Sequence, residues 1–317
     1  MKIKTKLIAL GATAVLSAVA INNKIFGNAE KKLDTKNKNM DLKFKSHSYD
    51  WKFGEIKYRT IGEGSPVLFI HSLLFGTTSE EWSKNISELS KTNKIYLIDL
   101  LGYGESERAD ISYSAYLYVC LINDFITEVI KEPTAVIASN TTATISAMAY
   151  IFNPKNFKKL ALISPAIEGK KSNASELLKK LPLDFPIFGD LVFNYYNSKK
   201  KLEDYISKFY SNKSLITEEK LNSIYAYSHK GYGNNRHLFA SYITNKFDIE
   251  METSLPEIEI PVLLIYGEDY PKSDELAKKA KELNSKVSVE ILGGKNFPNE
   301  EDPSRFNLVI EKFFEED

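Results

Sequence analysis

Two kinds of side chain in this sequence have the chemistry of nucleophilic catalysis, a short run of hydroxyls and four histidines. The hydroxyls of interest are Ser139 and Thr142, which follow an apolar run at 134–138. A hydroxyl attacks an ester efficiently only when a base takes its proton, and histidine is the commonest base near neutral pH. The histidines are His47, His71, His229 and His237. Any pairing between the two groups must come from the fold, because they are far apart in the sequence.

Composition excludes several other kinds of function. Lys and Arg number 42, as do Asp and Glu, so the chain lacks the basic surplus typical of nucleic-acid-binding proteins. The single cysteine, Cys120, lies in an apolar run and is expected to be a small buried residue. No cluster of His, Asp or Glu has the spacing of a metal site. The sequence therefore predicts no metal, no cofactor and no nucleic-acid partner.

Strands and helices alternate from about residue 42, and this pattern predicts the frame that positions those side chains. An alternating run at 55–61 indicates an antiparallel edge strand, and helical patterns occur at 78–89, 113–130, 273–283 and 303–314. Apolar runs typical of strands buried on both faces occur at 66–70, 94–99, 134–138, 160–164, 261–266 and 287–292. We therefore expect an α/β fold, a mostly parallel sheet with helices on both faces.

The alternation stops between Ala166 and Pro261. Aromatic-rich helical stretches at 188–196 and 202–210 replace core strands there, and a crossover needs far fewer residues. This excess predicts an inserted helical lid at 167–256, between two parts of a core at 42–166 and 257–317.

The N-terminal 21 residues form a separate segment. Lys2, Lys4 and Lys6 precede an uncharged run at 7–21, which is typical of a signal peptide or a short membrane anchor. Ala18-Val19-Ala20 has the small-x-small form that a signal peptidase needs. We expect a membrane anchor, or secretion if the chain is cleaved after Ala20, followed by a polar tether at 22–41 and an extracytoplasmic domain.

Four motifs, in order, resemble one large family. They are Val67-Leu-Phe-Ile-His71, Asp99-Leu-Leu-Gly-Tyr-Gly-Glu-Ser106, Pro261-Val-Leu-Leu-Ile-Tyr-Gly267 and Asn296-Phe-Pro-Asn-Glu-Glu-Asp-Pro303. Together they resemble the α/β-hydrolase superfamily, in its AB hydrolase-1-like group, from about Lys52 to Phe314. Glu81-Trp82 and the segment 113–118 are similar to a bacterial subgroup with a hydrophobic N-terminal segment.

The resemblance implies a nucleophile on a sharp strand-to-helix turn, Gly-x-Ser-x-Gly, which is altered here. The turn reads Val136-Ile-Ala-Ser-Asn-Thr-Thr-Ala-Thr144. In one register Asn140 holds the nucleophile position. In a second, which resembles the subgroup better, Thr142 holds it and Asn140 takes the conformation usually supplied by glycine. Ser139 is expected to point away from the tip in either register.

The resemblance also implies an acid, a histidine and an oxyanion loop. Asp269 is the nearest candidate for the acid, with Glu168 as an alternative, and the histidine position is occupied by Asn296. The oxyanion loop corresponds to His71, Ser72 and Leu73. An asparagine cannot take a proton from a hydroxyl near neutral pH, so the expected triad lacks its base.

Three functions remain open from the sequence. The first is a binding module of the hydrolase fold with little or no triad activity, which holds a small apolar or acyl ligand under the lid. The second is an esterase-like enzyme that uses Thr142 with an unusual base, either a lid histidine or a desolvated Lys295. The third is lyase-like chemistry at the oxyanion loop without a covalent step.

Overall fold

The computed structural model describes residues 44–167, 188–231 and 233–316, together with Ser17. The expectations for the segments 1–21 and 22–41 otherwise lie outside the described residues, as does Glu168. Within the part of the chain that is described, no helix is both long and apolar enough to cross a membrane.

An eight-stranded sheet forms the centre of the fold, in the order β1-β2-β4-β3-β5-β6-β7-β8. The strands are β1 (Lys45–Trp51), β2 (Gly54–Ile61), β3 (Ser65–Ile70), β4 (Asn93–Ile98), β5 (Thr134–Ser139), β6 (Phe157–Ile163), β7 (Val262–Gly267) and β8 (Val287–Leu292). β2 pairs antiparallel with β1 and β4, and the remaining neighbours pair in parallel. The predicted mostly parallel sheet is confirmed.

Helices cover both faces of this sheet. They are α1 (Ile86–Leu89), α2 (Ala115–Phe125), α3 (Thr141–Phe152), α8 (Ser273–Leu283), α9 (Pro298–Glu301) and α10 (Pro303–Glu315), and between β6 and β7 lie the lid helices α4 (Phe188–Tyr196), α5 (Lys199–Ile206), α6 (Glu218–His229) and α7 (Asn235–Ile243). Two buried apolar clusters lie on opposite faces of the sheet, since alternate residues of β3 such as Leu68 and Phe69 belong to different clusters.

Two local expectations were wrong. The segment 78–89 is not one helix: a 3-10 turn at Ser79–Trp82 is followed by the short α1. The Asp99 carboxylate accepts the Ser79 N–H at 2.8 Å and fixes the start of the first turn. The second error is that the strand at 55–61 is not at the edge of the sheet. β2 pairs with both β1 and β4, and the outer strand is β1, whose largely exposed residues lack the apolar pattern of a strand.

Candidate active site

The turn between β5 and α3 has the sharp geometry of a nucleophile elbow. β5 ends at Ser139, α3 begins at Thr141, and Asn140 alone connects them with φ 54° and ψ −124°. A positive φ is strained for a residue with a Cβ atom and costs about 1–3 kcal/mol. Asn140 therefore lies at the tip of the turn, which is the first of the two registers.

Thr142 lies away from that tip, in the first turn of α3. Its side chain is completely buried. The Oγ1 atom lies 2.8 Å from the Ser139 carbonyl and 3.0 Å from the His71 carbonyl, and these two acceptors share its single hydrogen. The hydroxyl thus connects the elbow to the oxyanion loop instead of facing a ligand.

Asn296 meets Asn140 across the site. Its Nδ2 donates to Asn140 Oδ1 at 2.8 Å, and Asn140 Nδ2 donates to the Asn296 carbonyl at 3.3 Å. Gly267 allows this approach, because a Cβ atom there would lie 2.2 Å from the Lys295 carbonyl. The two positions at which the resemblance implies a nucleophile and a base are therefore joined, as a pair of neutral amides.

No acid completes this pair within the described residues. Asp269 is exposed, its backbone N–H donates to the Gly294 carbonyl at 3.0 Å, and its carboxylate forms no hydrogen bond with Asn296. Tyr270, at the position three residues after Gly267, packs at 5.2 Å against the Tyr266 ring. The structure thus brings Asn140 and Asn296 together but leaves Asp269 outside the pair.

The four histidines all have hydrogen bonds away from this site. His47 bonds Thr60, and His237 pairs with Asp110 at 2.9 Å. His71 Nδ1 donates to the Ser72 carbonyl, and His71 Nε2 accepts the Leu100 N–H. His229 Nδ1 lies 2.8 Å from the Tyr225 carbonyl, and burial lowers the pKa of His229 to about 4. Among the described residues, no histidine ring hydrogen-bonds Thr142 or Asn140; His71 contacts Thr142 only through its backbone carbonyl.

Backbone N–H groups of the oxyanion loop and of the elbow lack acceptors in the described part of the structure. The N–H groups of Leu73 and Thr141, from the loop and from the start of α3, have no acceptor among the described residues. The Ser72 N–H is unavailable, because it donates to Glu81 Oε2 at 3.0 Å. Leu73 and Thr141 are therefore two backbone donors available to a carbonyl oxygen.

Glu81 is the residue whose role was missed from the sequence. Its buried carboxylate also accepts the hydroxyls of Ser72, at 2.7 Å, and of Ser139. Burial raises the pKa of Glu81 to about 7, although its hydrogen bonds oppose the shift. In the sequence, the pair Glu81-Trp82 indicates only a similarity to a bacterial subgroup. Nothing in the local pattern predicts a buried carboxylate behind the oxyanion loop.

A hydrogen bond and a stacked ring pair hold the lid against the loop that carries Asn296. The Asn296 N–H donates to the Phe209 carbonyl at 3.1 Å, and Tyr210 stacks on Phe297 with ring centres 5.0 Å apart. Tyr210 also donates its hydroxyl to Glu300 at 2.9 Å. The lid segment after α5 is therefore held directly beside the amide pair.

Aromatic lid side chains also cover the oxyanion loop. Phe75 packs against Phe193 of α4 at 5.8 Å and against Phe239 of α7 at 5.3 Å. The backbone of α6 lies close to Gly76, where an added Cβ would be 2.5 Å from the Ile224 carbonyl. Aromatic rings thus cover this part of the site on the lid side, and the buried His229 ring lies 5.5 Å from that of Phe193.

Comparisons with known proteins agree with this fold. The model of a family described as the alpha/beta hydrolase family matches residues 67–307. A pimeloyl-[acyl-carrier protein] methyl ester esterase from Wigglesworthia glossinidia brevipalpis is 27% identical over 81% of this chain and 96% of its own. A 2-hydroxy-6-oxo-6-(2'-aminophenyl)hexa-2,4-dienoic acid hydrolase from Metapseudomonas resinovorans is 22% identical over 68% of this chain and 71% of its own. A solved serine hydrolase involved in carbazole degradation has a TM-score of 0.70 at 16% identity, covering 86% of this chain and 98% of its own.

Proposed function

Because this chain belongs to the alpha/beta hydrolase family, we propose that it binds a small apolar or acyl ligand at the family's active-site position without hydrolysing it by a nucleophilic triad. The hydrogen bond between Asn140 and Asn296 is the observation that carries this proposal. A catalytic pair at these positions needs one atom that attacks and one that takes its proton. Two carboxamides supply neither, so the protein is a pseudoenzyme on this proposal.

The groups around the amide pair support ligand binding. The Leu73 and Thr141 N–H groups suit a carbonyl oxygen, which an acyl compound presents. Phe75, Phe193 and Phe239 form a buried apolar cluster on the lid side, and apolar residues are the usual lining of a small-molecule site. The curated relatives are named for an ester and for a dienoic acid, both of which carry a carbonyl group, and this likeness extends to the proposed ligand class.

The first prediction concerns turnover. We expect the wild type, Asn140→Ala and Thr142→Ala to hydrolyse p-nitrophenyl esters at one shared background rate, since no base activates a hydroxyl at the elbow. The rate of p-nitrophenol release is measured for the three proteins at matched concentrations. A fluorophosphonate probe is expected to label none of the three. Labelling of the wild type that Thr142→Ala abolishes would refute the proposal and would favour the Thr142 esterase.

We also propose that the apolar run at 7–21 anchors the chain in a membrane, with the folded domain on the extracytoplasmic side. Lys2, Lys4 and Lys6 before an apolar run have the form of an export signal, which supports an extracytoplasmic domain. We expect the full chain in the membrane fraction and a chain starting at residue 22 in the soluble fraction. Added protease is expected to reach the domain in intact spheroplasts. A mature N-terminus at Ile21 would show cleavage after Ala20 and would replace the anchor with secretion.

A further inference from the structure

Glu81 lies behind the groups that face the proposed ligand, and it contacts both sides of the site. One carboxylate oxygen accepts the Ser72 N–H and Oγ, and the other accepts Ser139 Oγ. Ser72 precedes Leu73, and Ser139 precedes Asn140. Since consecutive Cα atoms are about 3.8 Å apart, the carboxylate lies within roughly 7 Å of the Leu73 N–H.

No ion pair neutralises this carboxylate in the part of the chain that the structure describes. The titratable groups packed around it are Glu300 of α9 and Tyr210 of the lid. Two lysines are close to them, but both bond to Glu300: Lys220 through the Glu300 carboxylate and Lys84 through its carbonyl. An ionised Glu81 therefore places an uncompensated negative charge next to the oxyanion loop.

We propose that Glu81 makes the site selective for ligands with an uncharged carbonyl head group, such as an ester or an amide, over the corresponding carboxylates. This inference rests on the proposed function, since it assigns the ligand class of the same site. A carboxylate bound at Leu73 and Thr141 would lie about 10 Å or less from Glu81. At that separation inside a protein, repulsion between two charges weakens binding by about tenfold or more.

The charge on Glu81 depends on pH in the physiological range. Because burial raises its pKa to about 7, the side chain is largely neutral below that pH and largely ionised above it. A medium-chain fatty acid remains a carboxylate across this interval. Selectivity against carboxylates is therefore present above pH 7 and is lost as the pH falls through it, whereas ester binding stays constant.

The test compares matched ligands with the full chain. Medium-chain fatty acids and their methyl esters are titrated calorimetrically against the wild type and Glu81→Gln from about pH 5.5 to 8.5. Glutamine keeps the shape and an acceptor for Ser72. We expect the wild type to bind the ester about tenfold more tightly than the acid at high pH. In Glu81→Gln the acid should gain about tenfold in affinity at high pH, with ester affinity unchanged and the pH dependence abolished.

Two further variants separate the outcomes. Glu80→Gln, one residue away, changes a carboxylate whose side chain faces Ser223 and should leave both affinities unchanged. Ser139→Ala removes a hydrogen-bond donor to ionised Glu81, so the midpoint of the pH dependence should move upward. This variant tests the proposal even if Glu81→Gln fails to fold. Ester and acid binding equally at all pH values would overturn the selectivity and leave the proposed function intact. Binding of neither would overturn the proposed function itself.

Discussion

The double variant Asn140→Ser/Asn296→His is expected to hydrolyse p-nitrophenyl esters about 10²-fold or more above the wild-type rate. The elbow that a nucleophile needs is already formed, since Asn140 occupies a strained turn with φ 54°. Its side chain already meets that of Asn296 at 2.8 Å, so a serine and a histidine at these positions lie within hydrogen-bonding range. A positioned base contributes about 10²–10⁴-fold.

The single variants are the controls for this gain. Asn140→Ser alone has a nucleophile without a base, and Asn296→His alone has a base without a nucleophile, so neither should exceed the background. Thr142→Ser/Asn296→His is the matched pair for the second register, and it should also be inactive because position 142 is buried in α3. Fluorophosphonate labelling of the serine introduced by Asn140→Ser, in the double variant, gives an independent readout. Activity of the Thr142→Ser pair alone would show that the elbow has been assigned incorrectly.

Replacing Arg108 with methionine is expected to lower the free energy of unfolding by about 3–5 kcal/mol, the largest stability effect we predict. The guanidinium is buried and donates to the carbonyls of Tyr103, Gly104 and Ser106 and, at 3.2 Å, to that of Tyr227 in α6. Burial lowers its pKa to about 10, which still leaves it charged at neutral pH. Without it, four buried carbonyls lose a charged donor, a loss typical of breaking a buried polar network.

Urea unfolding followed by intrinsic fluorescence measures this loss. Arg305→Met is the matched control, because Arg305 is exposed in α10 and its replacement should change stability by less than about 0.5 kcal/mol. Because Arg108 connects α6 of the lid to the turn after β4, ligand affinity should also fall in its variant under native conditions. Equal stability of the two variants would mean that solvent or neighbouring groups replace the buried donor.

The main features of the fold were predictable because each depends on a local pattern. Apolar runs such as the one in β3 are buried on both faces in the sheet, and the long interval without core strands contains the helices α4 to α7. Strand β1 was missed for the converse reason. It lies at the edge of the sheet, where most of its side chains meet solvent and need not be apolar.

By itself, the sequence determined the hydrolase fold and placed Asn296 where the resemblance implies a histidine, because Asn296 lies in a motif with its own flanking residues. Only the tertiary structure decided which of Asn140 and Thr142 holds the tip of the turn. The sequence is compatible with either register, and the choice depends on the pairing of β5 with its neighbours and on the bond from Ser139 to Glu81. It also decided that Asn140 and Asn296 bond each other, and that a carboxylate lies behind the oxyanion loop. These contacts join residues 58 to 156 positions apart in the chain, a separation that no local pattern can encode.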